Sequence, residues 1–292
     1  MSPTPAVDLG RVGVWTFAFD RMALAAVRDA AGAVERLGYG ALWVGEAVGR
    51  EALTHAALLL DATERLVVAT GIARIGERSP RVMHAAQRVL WEAHPGRFLL
   101  GLGGAAHRGA GHDPIATMGD YLDQVAEAPY LPGGANDPPV VLAALGPRML
   151  RLAARRSVGA HTYLAPVAHT LLARRVMGPG PLLAVEVAVV LEADPRRARE
   201  QAREHLAFYL RLPHFQAHLR RSGFTGDDLL GGGSDRLVDA SVAWGDPELV
   251  AAAVEQHLAA GADHVCIQPV GDLSALDVAT LETLAPLLTP SG

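Results

Sequence analysis

The sequence contains no lysine; all 26 of its Lys/Arg positions are arginine. A lysine Schiff base and a P-loop are thereby excluded, because both need the lysine amine. Phosphates or carboxylates must be held by arginine, backbone N–H groups or helix N-termini. Cysteine is nearly as scarce. The single Cys266 forms no internal disulfide, and a cytoplasmic setting accounts for it most simply. Excess basic charge is missing too. A net charge of -5 argues against a nucleic-acid binder held by a basic face. Long apolar runs are absent. The longest, LLAVEVAVVLEA from Leu182, is broken by Glu186 and is too short to span a bilayer. The opening MSPTPAVDLG has no basic, apolar signal segment.

Twelve histidines raise a metal hypothesis. No His-x-His pair and no His-Glu-x-x-His helix occurs, so no metal site is expected. His84, His94, His205 and His257 fall on helices and read as surface residues. His161 reads as the start of a strand, on the stability face. Only His55, His107, His112 and His169 fall where a site loop could use them.

What is present is alternation. Residues 65–104 read as strand, loop, helix, loop, strand: VVATGIARI is apolar and β-branched, Pro80 suits a helix start, and RFLLGLGG ends in glycines. Two parallel strands joined this way need a helical crossover. The same pattern recurs along the chain, giving strands at 11–17, 41–46, 66–75, 97–103, 138–145, 161–167, 182–192 and 263–270. Each is followed by helical sequence. Residues 211–245 read as an irregular insertion before the last strand. The 292 residues suit one (β/α)8 TIM barrel without an inter-domain linker, in preference to an open doubly wound sheet. In such a barrel the site lies at the C-terminal strand ends. Trp15, Glu46, Gly71, Gly103, Gly104, Leu145, Gly146 and Arg148 fall there.

Three motifs carry chemistry. GLGGAA (101–106) fits the dinucleotide fingerprint, but it ends the fourth strand and no helix starts at once. The preferred reading is that its glycines let a ligand or a neighbouring backbone come close. Gly71 interrupts a buried strand as a bulge or barrel corner would. ALGPRML (144–150) sets a Gly-Pro turn before a helix whose free N–H groups, with Arg148, could hold an anion. Glu46 is either a base or a partner for an arginine such as Arg74.

GYGALWVGEA (38–47), ATERLVVATGI (62–72), HPGRFLLGLG (94–103), VVLAALGPRML (140–150) and AGADHVCIQPV (260–270) together resemble the bacterial luciferase-like family of flavin- and deazaflavin-dependent oxidoreductases. The resemblance spans nearly the whole chain and is nearest the branch using coenzyme F420. It implies a (β/α)8 barrel and a homodimer. It also implies a bulge, often with a non-prolyl cis peptide, backing the flavin ring at Thr70, Gly71 and Ile72. Gly103 and Gly104 would border the cofactor, and Leu145, Gly146 and Arg148 its phosphate. Trp15 would wall the pocket, and Glu46, His107 or Tyr163 would position a proton. Two departures stand out. Relatives often carry Glu-His-His after the second strand, whereas this chain has Glu46, Ala47 and Val48. The loop after the fourth strand, GGAAHRGAGHDP, is compact. The expectation is an F420-dependent oxidoreductase acting on a small organic substrate. The alternatives are an FMN-dependent monooxygenase or a degenerate barrel serving as a partner subunit.

Overall fold

The computed structural model describes residues 7–104, 113–132 and 138–289. Nine parallel strands pair in the order β10–β1–β2–β3–β5–β6–β7–β8–β9, and a β10–β8 pairing closes eight of them into a barrel. The staves are β1 (Val12–Thr16), β2 (Ala41–Val44), β3 (Val67–Thr70), β5 (Phe98–Gly103), β6 (Val140–Ala143), β7 (Gly159–Thr162), β8 (Leu182–Leu191) and β10 (His264–Pro269). These are the eight strands legible in the sequence. Among the described residues no helix is long and apolar enough to cross a membrane.

Side chains alternate along each stave, as a two-residue period requires. Trp15, Trp43, Ala69, Leu99, Val141, Ala184 and Cys266 fill the barrel. Their neighbours Val14, Leu42, Val68, Leu100, Leu142, Val185 and Ile267 face the helices. The interior also holds polar groups. Trp43 Nε1 donates to His264 Nε2 (3.1 Å), and His264 Nδ1 contacts the Gly10 carbonyl (2.8 Å), which fixes the His264 tautomer.

Proline marks about half of the helix starts among the described residues. Six helices open on proline, among them α3 (Pro80–Ala93), α4 (Pro114–Ala126), α5 (Pro147–Arg156), α7 (Pro195–Tyr209) and α10 (Pro247–Ala259). Proline fits there because its missing N–H has no partner in the first turn. Ser79, Asp113, Asp194 and Asp246 cap four of them by side chain. Gly146 cannot, so α5 begins uncapped.

The structure departs from the sequence reading in three places. The third strand is not continuous over 66–75. It breaks at a cis Gly71–Ile72 peptide and resumes as β4 (Ala73–Arg74), beside β5. The insertion is not irregular. It forms α8 (Pro213–Arg221), α9 (Asp235–Ser241) and β9 (Val242–Gly245), and β9 pairs with the far end of the ten-residue β8. Leu206, Phe215, Leu219, Leu237 and Val238 knit it into a second apolar cluster. Finally, β7 begins at Gly159, so His161 is its third residue and does not sit on the stability face. His84 and His257 are buried rather than surface residues, because their helix faces turn inward; His94 and His205 are half-buried.

Gly101 marks a very close approach of neighbouring strands. A Cβ there would lie 1.9 Å from the Thr70 carbonyl oxygen. The gap is bridged instead by Thr70 Oγ1, which donates to the Gly101 carbonyl and accepts its N–H, both at 2.8 Å. Gly101→Ala is expected to cost about 2–3 kcal/mol, as overpacking does. Urea denaturation checks this, and an unchanged midpoint contradicts it.

Candidate functional site

A cavity of about 600 Å³ opens at the C-terminal end of the barrel. Its floor is made by Trp15, Gly71, Ile72, His161 and Tyr163, and one side by Gly103, Gly104, Leu145 and Gly146. The insertion and the end of α7 add Phe208, Tyr209, Phe215 and Arg221 to the lining. A wider groove of about 1270 Å³ lies outside the barrel, between α3 and α2 (Ala52–Asp61). It shares only the rim residues Glu46, Ala47 and Arg74 with the inner cavity. The inner cavity is the candidate site, because barrel sites form where strands end.

The glycines at its edge are occupied by the chain itself. A Cβ on Gly103 would meet the Ile72 side chain at 2.6 Å, and one on Gly104 would meet Arg74 at 3.5 Å. On Gly71 it would fall 2.4 Å from Trp15 Nε1. Glycine at 71 and 103 therefore leaves room for the Trp15 ring and the Ile72 side chain at the strand ends.

Aromatic rings continue from floor to wall. Trp15 meets Phe17 edge-on (4.3 Å) and Tyr163 (5.0 Å); Tyr163 meets Tyr209 (5.3 Å), and Tyr209 meets Phe215 (5.2 Å). Tyr163 donates its one proton to Gln268 Oε1 (2.8 Å), so the 2.8 Å contact with Tyr209 has Tyr209 as donor. Burial pushes the Tyr163 phenol well above its ordinary pKa.

Beneath Tyr163, Glu186 is fully buried in the barrel. One of its oxygens accepts the Leu164 N–H (2.8 Å) and the other has no partner. Burial pushes its carboxyl up to about 8, against the opposing pull of that bond.

A family model described as luciferase-like monooxygenase matches residues 7–127 and 105–264. The chain belongs to the luciferase-like monooxygenase family. No curated protein matches it. Solved luciferase-like barrels do. An F420-dependent secondary alcohol dehydrogenase holding an F420–acetone adduct has TM-score 0.73 and 14% identity, over 95% of this chain and 97% of that one. The coenzyme F420-dependent tetrahydromethanopterin reductase of Methanopyrus kandleri has TM-score 0.75 and 15% identity, over 96% and 99%. The oxygenating constituent of 3,6-diketocamphane monooxygenase of Pseudomonas putida, with FMN, has TM-score 0.71 and 14% identity, over 96% and 98%. At these identities the likeness establishes the luciferase-like fold.

The cavity gathers Trp15, Glu46, Gly71, Ile72, Gly103, Gly104, Leu145, Gly146 and Tyr163. It does not gather Thr70 or Arg148. Thr70 is spent on the Gly101 stitch. Arg148 is exposed and pairs with Asp113 (2.6 Å), because its position on α5 turns it away from the barrel. Arg221 lines the cavity in its place, its Nη2 lying 3.8 Å from where a Gly146 Cβ would be.

Glu46 is an anchor rather than a free base. It pairs with Arg78, not with Arg74, and also accepts the N–H groups of Arg74 (2.7 Å) and Ala52 (3.1 Å). Arg74 pairs with Glu77 instead (3.5 Å). His107 and His112 lie outside the described residues. His55 and His169 do not line the cavity; His169 Nε2 supports the Leu145 carbonyl from behind (2.9 Å). Among the described residues no cluster of His, Cys, Asp and Glu is placed to hold a metal.

Sequence reasoning missed His161 and Tyr209; it expects 211–245 at the outer wall of the pocket but does not single out Arg221 there. The signal for the wall was FYLRLPHF (208–215), three aromatics in eight residues of a chain that is 5% aromatic.

These buried groups set the pH dependence of stability. Burial holds His55, His257 and His264 down at about 4, and His161 and His218 at about 3. Unfolded histidine takes protons below ~6.5, so stability falls as pH drops from there. Glu186 acts oppositely. Between about 4.5 and about 8 the folded chain keeps a proton that the unfolded chain loses, so this contribution fades as pH rises. Stability is expected to peak at pH ~7, where the summed proton uptake of the unfolded histidines equals the one proton that Glu186 keeps, and to fall beyond it by less than ~1.4 kcal/mol per unit. Urea titrations across pH check this. Glu186→Gln should flatten the alkaline limb and steepen the acid limb above about pH 4.5; an alkaline limb kept by that variant contradicts the assignment.

Proposed function

We propose that this protein is an F420-dependent oxidoreductase, transferring a hydride between deazaflavin C5 and a small organic substrate. The observation that carries the reading is the aromatic cavity floored by Gly71 and Ile72, into which Gly71 and Gly103 bring no side chain. A flat, largely apolar ring suits such a platform. When bound, the deazaflavin supplies or accepts the hydride. Gly71 and Ile72 would back its ring. The uncapped start of α5 and Arg221 would hold its phosphate. Arg221 lines the cavity, and a second cation, Arg211, sits over its lining residue Phe208 at 5.8 Å. That suits an acidic tail better than a lone phosphate. Phe17, Tyr163, Tyr209 and Phe215 exclude water from the substrate side.

Fluorescence titration with oxidised F420, run beside FMN, tests this. Selective F420 binding is expected. Preference for FMN, with oxygen consumption by the reduced form, would move the protein to the monooxygenase reading. Binding neither would favour the partner-subunit reading. Gly71→Val is expected to abolish binding. Arg221→Ala should weaken it about tenfold or more, whereas Arg148→Ala should not change it. Equal losses in the two arginine variants would contradict the phosphate assignment.

A further inference from the structure

Two buried polar side chains in the cavity floor have atoms that the protein leaves unmet. Trp15 is 1% exposed and His161 3% exposed. Neither Trp15 Nε1 nor either imidazole nitrogen of His161 has a hydrogen-bond partner. Buried polar atoms are nearly always satisfied, so unmet ones call for an occupant. Here they converge. A Cβ on Gly71 would lie 2.4 Å from Trp15 Nε1 and 3.4 Å from His161 Nε2, and all three residues line the cavity. The two nitrogens therefore lie within about 6 Å of each other, a separation that one oxygen hydrogen-bonded to both can span.

Neither ring can turn away to find another partner. Trp15 is wedged between Phe17 and Tyr163. His161 stacks on Trp43 at 4.5 Å and 16°. The Trp43 N–H is already given to His264. The Ala184 carbonyl is near enough to His161 to oppose its loss of basicity, but does not meet it in hydrogen-bonding geometry.

The chemistry of the occupant follows from the donors. An indole N–H only donates, whereas a neutral imidazole can donate or accept. An ammonium group is excluded by the indole, and an apolar group would leave both nitrogens unmet. An oxygen satisfies both, as a carbonyl accepting twice or a hydroxyl accepting once and donating once. We propose that Trp15 Nε1 and His161 Nε2 form a buried seat for one carbonyl or hydroxyl oxygen of the cavity ligand. This rests on reading the cavity as the ligand site. The oxygen comes either from the rim of the cofactor ring or from the substrate.

Indole N–H signals in proton–nitrogen NMR spectra read the seat directly. The chain has four tryptophans, and Trp15→Phe assigns the relevant signal. The probes are cyclohexanone and its oxygen-free counterpart methylcyclohexane. Cyclohexanone is expected to move the Trp15 indole proton downfield and to shift the His161 ring nitrogens; methylcyclohexane should do neither. Trp15→Phe and His161→Phe, which keeps a ring on Trp43, should each weaken cyclohexanone about tenfold and leave methylcyclohexane unchanged. Oxidised F420 forms the second arm. Movement with F420 alone assigns the seat to the ring oxygen. Movement only when cyclohexanone joins bound F420 assigns it to the substrate. Signals unmoved in every arm, or a water that no probe displaces, overturn the seat. Cyclohexanone moving the indole while F420 fails to bind upholds the seat and overturns the deazaflavin reading.

Discussion

The site depends on one close approach, that of the third strand to the fourth at Thr70–Ile72. Strands in a sheet normally keep side chains between their backbones and anything above them. Here Gly101 lets the Thr70 carbonyl pass where a Cβ would sit, and Gly103 does the same for the Ile72 side chain. Thr70 Oγ1 then holds the Gly101 backbone at both its N–H and its carbonyl. The strand end is thereby turned across the barrel mouth, and the Gly71–Ile72 peptide becomes the floor of the cavity. Trp15 fits only because Gly71 offers no side chain. The floor, and the place of Trp15 against it, descend from that contact.

A second constraint secures the same corner from outside. Glu46 and Arg78 are both nearly buried, and Glu46 also accepts two backbone N–H groups. A carboxylate removed from water is costly unless each lone pair is met. With four donors around it, Glu46 has none left for a ligand. It fixes the end of β2 to β4 and to the start of α2, and so holds the rim still. The carboxyl group with spare capacity is Glu186, inside the barrel, whose second oxygen is unmet.

The barrel was legible because its signal is local and repeated. Eight apolar runs with helical sequence between them need no knowledge of distant contacts. Gly71, Gly103, Leu145 and Gly146 were legible for the same reason: each sits where a strand ends. The rest depended on partners far away in the chain. Arg148 looked like an anion ligand from its place after Gly146, but one helical position decides whether a side chain faces the barrel or Asp113. Arg221 arrives from an insertion whose helices are short and whose glycines masked them. His161 was misplaced because a two-residue shift in where β7 starts turned an apparent edge residue into a barrel one. Glu46 shows a different limit. Residue type and position fit both a base and an anchor, and only the count of its hydrogen bonds separates the two.

The most direct test of the account is a crystal structure of the protein grown with F420. The account predicts the deazaflavin ring lying against Gly71–Ile72, with its phosphate at the start of α5 beside Arg221. A ring bound in the outer groove between α2 and α3, or an empty cavity under saturating cofactor, would contradict it.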